Sequence, residues 1–262
     1  MAYEVRTPIT QAMKEGVISR KDLKKLMKRS DIPALTRILI WIALLSFTSY
    51  LIWLSMGTWF LLPSMFLHGI IIVHHFSLQH ECCHYTAFKT RKLNDIIGHL
   101  CGFSIVLPHQ HFRYEHCDHH TYTNLQGKDP ELITLPISLY KYIWYISAFS
   151  YWKNKFSEIF RHILGKLSDD EKIFIPKQEY ATIFNEARIM VSLYLIVFIT
   201  CASTNFWEPL WFWILPLFMG EPVMRAIRLT EHVGRPNVDD LKENTRSSLV
   251  SSPMKFLCWN MN

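Results

Sequence analysis

Four apolar blocks, set in two close pairs, constrain this chain more than any other feature. Residues 38–55 and 59–77 make the first pair, parted by Met56-Gly57-Thr58. Residues 187–202 and 207–224 make the second, parted by Ser203-Thr204-Asn205. Each block approaches the ~20 apolar residues that a helix needs to cross a bilayer. In hydrocarbon every backbone polar group must be bonded within the chain, so such blocks become helices. The pattern predicts an all-α membrane protein: four transmembrane helices in two hairpins, with a helical cap outside the bilayer. Half of the 262 residues are hydrophobic and 14% are aromatic, which suits a chain with little water-facing surface.

Charge orients the hairpins. The chain carries 28 Lys and Arg against 22 Asp and Glu, a formal net charge of +6. In a soluble protein that balance would suggest nucleic acid. Here the two short turns, near 56–58 and 202–208, hold no Lys or Arg, and all the basic residues fall on the opposite side or at its edge. The positive-inside rule makes that side cytoplasmic, with the N-terminus on it. Residues 1–35 form a basic segment, and Asp22 to Arg29 reads as a short amphipathic helix on a membrane surface or as a solvated basic face. No short apolar leader opens the chain, so the first span is expected to serve as an uncleaved anchor. Residues 94–110 are too short to span and predict a re-entrant or interfacial helix. Residues 132–152 predict a helix lying at the interface, and residues 153–180 a water-exposed segment. The six cysteines suggest no disulfide framework and are read as reduced. Nothing divides residues 1–262 into separate domains.

Chemistry concentrates where the second block ends. His80-Glu81-Cys82-Cys83-His84 is followed some thirty residues later by His116-Cys117-Asp118-His119-His120. On helices, His80 and His84 share one face, as do His116, His119 and His120. Imidazole is the commonest side-chain metal ligand, and ionisable clusters at a membrane edge need a reason to be there. Both clusters fall on the basic side, as does Glu231-His232 after the last block. His80 to His84 also fits H-E-x-x-H, the zinc-peptidase pattern, with Glu81 as general base. That reading leaves the other histidines unexplained, and Glu81 better suits an acceptor that orients a neighbouring imidazole. Asp95, Asp129 and Glu231 are further candidates to orient ligands, or simple surface and capping residues. His68 reads as a packed core residue, His74 and His75 fit ligand spacing less well, and His99, His109 and His111 match no ligand position and read as structural residues or as supports behind the ligands.

These motifs together resemble the membrane fatty acid desaturase and hydroxylase superfamily, histidine-rich di-iron proteins related to the alkane monooxygenases. The resemblance covers roughly residues 60–262. It rests on the first box with Thr86-Ala87-Phe88 and Asn94-Asp95, and on the second box with Thr121-Tyr122-Thr123-Asn124 and Lys128-Asp129-Pro130-Glu131-Leu132. Glu231-His232-Val233-Gly234 is similar to a separate iron-ligating motif of the alkane monooxygenases. The resemblance implies two iron ions held by eight or nine histidines. The positions present are His80, His84, His116, His119, His120 and His232. A third box is expected just after Trp259-Asn260-Met261-Asn262, so the chain reads as C-terminally truncated.

The implied activity is O2-dependent introduction of a double bond into a fatty acyl chain. The alternative is hydroxylation of an alkane or another small organic substrate; a membrane zinc metallopeptidase and a non-catalytic remnant are the other readings. Zinc has no redox chemistry, so attack on an unactivated C–H bond requires another metal. The sequence has no flavin, nicotinamide or haem motif, so the electrons are expected from a partner such as ferredoxin or cytochrome b5 with its reductase. Lys89, Arg91, Lys92 and Arg113 offer it a basic docking face.

Overall fold

The structure is a computed structural model that describes residues 13–238 and 240–260. Residues 1–12 of the basic segment and Met261-Asn262 of the terminal run lie outside it. Four helices among the described residues are long and apolar enough to cross a membrane: Ile32–Ser55, Leu61–Cys83, Lys177–Thr204 and Leu210–Arg228. They fall in the two hairpins that the sequence predicts.

A short helix α1 (Arg20–Leu26) begins at Ser19, whose Oγ accepts from the Asp22 backbone N–H. The first span is α2 (Ile32–Ser55). The second is built from α3 (Leu61–Val73) and α4 (His75–Cys83), interrupted only at His74. It reaches past the predicted end at residue 77 and carries the first His box on its last turn. The cap follows as α5 (Arg91–Ile105), α6 (His109–Tyr122), α7 (Leu139–Ile146), α8 (Phe149–Ile163) and the single turn α9 (Glu171–Phe174). The third span is α10 (Tyr180–Thr204), led in by a 3₁₀ turn at Lys177–Glu179. A π turn at Leu210–Ile214 opens the fourth span and passes into α11 (Leu215–Arg228). Two short helices, α12 (Leu241–Asn244) and α13 (Ser252–Leu257), complete the chain.

The spans bury selectively. Leu39, Ile42, Phe47 and Leu54 of α2, and Ile189, Leu195, Phe198 and Ile199 of α10, are exposed. Lipid is the solvent that makes such a surface stable. One core gathers Ile72, Val73, Phe76, Phe112, Trp152, Ile159, Leu217 and Met224 from spans and cap together. A second packs Trp41 of α2 with Leu78, Cys82, Phe88, Cys101 and Trp259. The segment 153–180, expected to be water-exposed, is corrected here. Its helix α8 is amphipathic and buries Trp152, Lys155, Ile159 and His162. The helix α7 buries none of its side chains; residues 139–144 are exposed, and Tyr145 and Ile146 are partly covered.

The second and fourth spans meet closest. A Cβ on Gly220 would stand 2.3 Å from the Gly69 carbonyl oxygen, and one on Gly69 would stand 2.0 Å from that of Pro216. Helices in lipid gain no hydrophobic drive towards each other and depend on such close packing by small residues. The π turn adds a polar tie at this joint. Such a turn disturbs the helical ladder, and the Phe212 carbonyl accepts from His68 Nε2 at 2.9 Å. His68 Nδ1 lies 2.6 Å from the Thr48 hydroxyl of the first span. His68 is therefore the packed, bonded core residue that its isolation suggests. Replacing Gly220 by Ala sets a methyl against backbone, so Gly220→Ala should cost ~1–3 kcal/mol by overpacking. A thermal midpoint in detergent equal to that of the parent would contradict this packing; Ser203→Ala, on the exposed third span, should leave the midpoint in place.

Candidate metal centre

Helices α4 and α6 bring the two boxes together. His80 lies on the last turn of α4 and His84 caps it. His116, His119 and His120 lie on α6. Four of these rings, His80, His84, His116 and His120, offer ring nitrogens that all fall within 4.8 Å of one another. His116 Nε2 and His120 Nε2 are 3.0 Å apart. The cluster is open on one side, where Cys117, Thr86 and Glu81 join His80, His84 and His120 around a cavity of about 450 Å³.

The other two candidate ligands stand beside this group. The His119 and His232 rings are 5.1 Å apart, and His119 stacks 5.5 Å from His116. His232 follows the last span in an irregular loop. Asn124 Nδ2 donates to the carbonyls of Arg235 and Pro236, both at 3.1 Å. Asn244 Nδ2 donates to the Thr123 carbonyl at 2.9 Å. These amides tie the loop to the end of the second-box helix.

Electrostatics keep lone pairs available. Burial pushes the His84 imidazole down to about 4, and the neighbouring His80 adds to this. Burial drives His116 to about 3 although Glu131 pulls the other way. His120 falls to about 4 through burial and then through His84 and His119. Burial and His119 also lower His232. His119 is the exception: burial is the largest influence and pushes it down, but the hydrogen bond to Asp129 and the charges of Glu131 and Asp129 together shift it upward. A neutral imidazole is the form that binds a metal.

Carboxylates brace three of the rings. His116 Nδ1 donates to Glu131 Oε1 at 2.7 Å, and His119 Nδ1 to Asp129 Oδ1 at 2.8 Å. His80 Nδ1 is 3.2 Å from Glu81 Oε1. A proton held on Nδ1 leaves Nε2 with its lone pair, and carboxylate–histidine pairs of this kind fix ligand tautomer and aim. The donor set therefore fits a transition metal: neutral nitrogens converge, and acidic groups hold their far edges.

Two of the four expected orienting residues are placed otherwise. Asp95 accepts from the Tyr85 hydroxyl at 2.9 Å, and Glu231 lies 3.3 Å from Arg228 Nε. Neither makes a described hydrogen bond to a candidate ligand. Sequence reasoning missed Glu131, whose side chain is only 6% exposed. Burial opposes its charge, but Arg228 and His116 hold its carboxyl well below the usual range. Arg228 Nη2 donates to Glu131 Oε2 at 2.6 Å. The signal was in Asp129-Pro130-Glu131: two acids one residue apart, straight after a histidine box.

Residues 53–262 match the model of the fatty acid desaturase family, and the chain belongs to that family. Its relatives include a chloroplastic omega-6 fatty acid desaturase of Arabidopsis thaliana, 31% identical over 107 residues, or 40% of this chain and 23% of that protein. An sn-1 oleoyl-lipid 12-desaturase of Anabaena variabilis is 23% identical over 181 residues, covering 62% of this chain and 48% of the relative. A Delta(8)-fatty-acid desaturase of Euglena gracilis is 32% identical over 80 residues, 27% of this chain and 18% of the relative. The chain thus spans less than half the length of each of these relatives.

The brace at Glu131 is directly testable. Glu131→Gln keeps the shape but weakens the acceptor, and should lower metal affinity or metal-dependent activity by roughly 10–100-fold. Asp95→Asn should leave metal content unchanged. Equal metal content in both variants, measured on purified protein, would remove Glu131 from this role.

Proposed function

We propose that this protein is an O2-dependent di-iron oxidoreductase of the membrane that introduces a double bond into a fatty acyl chain. The observation that carries the reading is the convergence of His80, His84, His116 and His120 at the end of a span, in a chain of the desaturase family. When bound, iron would supply the redox chemistry with O2 that removal of hydrogen from an unactivated methylene requires.

The chain's own residues do the rest. His80, His84, His116 and His120 offer one nitrogen each, and His119 and His232 extend the donor set. Glu81, Glu131 and Asp129 keep Nδ1 protons in place on the outer edges. Beside the centre lies a cavity of about 390 Å³ of mixed character, lined by Phe76, Leu107, Phe112, Leu132 and Ile133 but also by Glu115, Glu131, Lys155, Glu158, Arg225 and Arg228. Two of its lining residues touch the centre: the Phe112 ring stacks 5.0 Å from His116, and Glu131 accepts from His116 Nδ1. Electrons would come from a ferredoxin or cytochrome b5. Arg91 and Arg113 flank the Tyr85 ring, each 4.2 Å from it; Arg113 is half-buried, so the docking charge falls mainly to the exposed Lys89, Arg91 and Lys92.

Desaturation is favoured over hydroxylation because the named relatives are desaturases. Family membership likewise favours either over a zinc peptidase. The test is product analysis of the protein as its gene encodes it, reconstituted with iron, a reductase system and labelled lipid. A new double bond that disappears with His116→Ala supports the reading. A hydroxyl product would assign the alternative, and zinc with no iron after purification would overturn both.

The proposed orientation puts the N-terminus and both boxes in the cytoplasm. Cys117 is the exposed thiol among the described cysteines, and the other five are buried. A membrane-impermeant maleimide should label Cys117 in inverted vesicles and spare it in intact cells. Labelling from outside would reverse the orientation.

A further inference from the structure

The second-box helix carries another histidine on its far side. His111 precedes His116 by five residues, which turns it roughly 140° around α6. Its side chain is 1% exposed, yet neither ring nitrogen makes a hydrogen bond. Facing it are His162, fully buried at the end of α8, and Glu171 on α9, whose side chain is 7% exposed. One ligand atom from each of the three lies within 4.8 Å of the others. His111 Nε2 is 3.4 Å and His162 Nε2 2.9 Å from Glu171 Oε1.

Carboxylates face both nitrogens of this imidazole, but none is close enough for a well-formed hydrogen bond, which leaves room for a stronger partner. Two imidazoles and a carboxylate form a recurrent donor set for zinc and similar divalent ions. Ligands about 2.1 Å from a tetrahedral ion stand roughly 3.4 Å apart, which is the His111–Glu171 separation, while the His162–Glu171 contact of 2.9 Å would have to open slightly. The far edge of His111 completes the pattern, because its Nδ1 lies 3.5 Å from Glu158 Oε1. A carboxylate in that position holds the outer nitrogen of a ligating histidine. Glu158 is itself anchored by Lys155 Nζ at 2.8 Å. Arg161 Nη2 is 3.0 Å from Glu171 Oε1, and Glu115 Oε2 lies 3.9 Å from His111 Nδ1. A cavity of about 540 Å³ reaches His111, Glu158 and Glu171 from outside and gives an ion a way in.

We propose that His111, His162 and Glu171 form a second metal site, separate from the histidine-box centre, that takes one divalent cation of the zinc class. The ion would replace the direct His162–Glu171 contact and join three segments of the cap. In that position it clamps the back of α6 while the box histidines work on its front. The site is independent of the proposed oxidation, and losing either reading leaves the other intact.

The full chain in detergent, stripped of metal, is titrated with zinc chloride alone, and bound zinc is counted. His162→Gln and Glu171→Gln should each bind one zinc fewer per chain than the parent, with far-UV circular dichroism verifying that they fold. Zinc counts equal to the parent's in folded variants would overturn the proposal. A second measurement needs no variant. Zinc should slow hydrogen exchange in the peptides covering residues 109–113, 158–163 and 168–174. Slowing confined to the peptides around residues 80–84 and 116–120 would overturn the proposal as well, and would leave a protonated His111 between Glu158 and Glu171 as the account of this cluster.

Discussion

A hydrogen bond from His116 to Glu131, backed by the Glu131–Arg228 ion pair, joins the parts on which this structure depends. Arg228 is the last residue of the fourth span, Glu131 lies in the loop after the second box, and His116 sits at the heart of the ring cluster. A buried carboxylate is tolerable only when its charge is answered. Here a cation answers on one side and an N–H on the other. The same contacts aim the free nitrogen of a candidate metal ligand and dock the cap on the long apolar helices. Position and chemistry are fixed by one set of atoms.

The spans were legible because bilayer thickness imposes a length and forbids an unpaired backbone. Both hairpins, and the turns near residues 57 and 205, follow from that alone. The boxes were legible for a similar reason: His80 with His84, and His116 with His120, repeat at the spacing that puts side chains on one face of a helix. What joins those two faces is tertiary. Nothing local announces that α6 would lie across the end of α4.

Carboxylates were harder to read than imidazoles. Glu81 lies against His80 and Asp129 against His119, but Asp95 is drawn to Tyr85 and Glu231 to Arg228. An acid near a histidine in sequence has many partners within reach, and only packing selects one. Glu131 was passed over because Arg228, its counter-charge, lies 97 positions away. The segment after residue 152 was misread because its charge is high, whereas Lys155 and Glu158 turn that charge inward as a pair. His111 was set aside as structural on the ground that no ligand spacing includes it. His162 and Glu171, which face it, come from other segments altogether.

The contact between His68 and the loosened turn at Leu210–Ile214 has a consequence of its own. A carbonyl oxygen can only accept, so Nε2 of His68 must carry the proton and Nδ1 must face Thr48. Sliding the second span along the fourth by one helical repeat would strand an oxygen and a ring nitrogen in oil at the same moment. The bundle is therefore keyed rather than greased: its register is enforced by the expense of dry, unanswered polarity, and the floor beneath the histidines cannot drift.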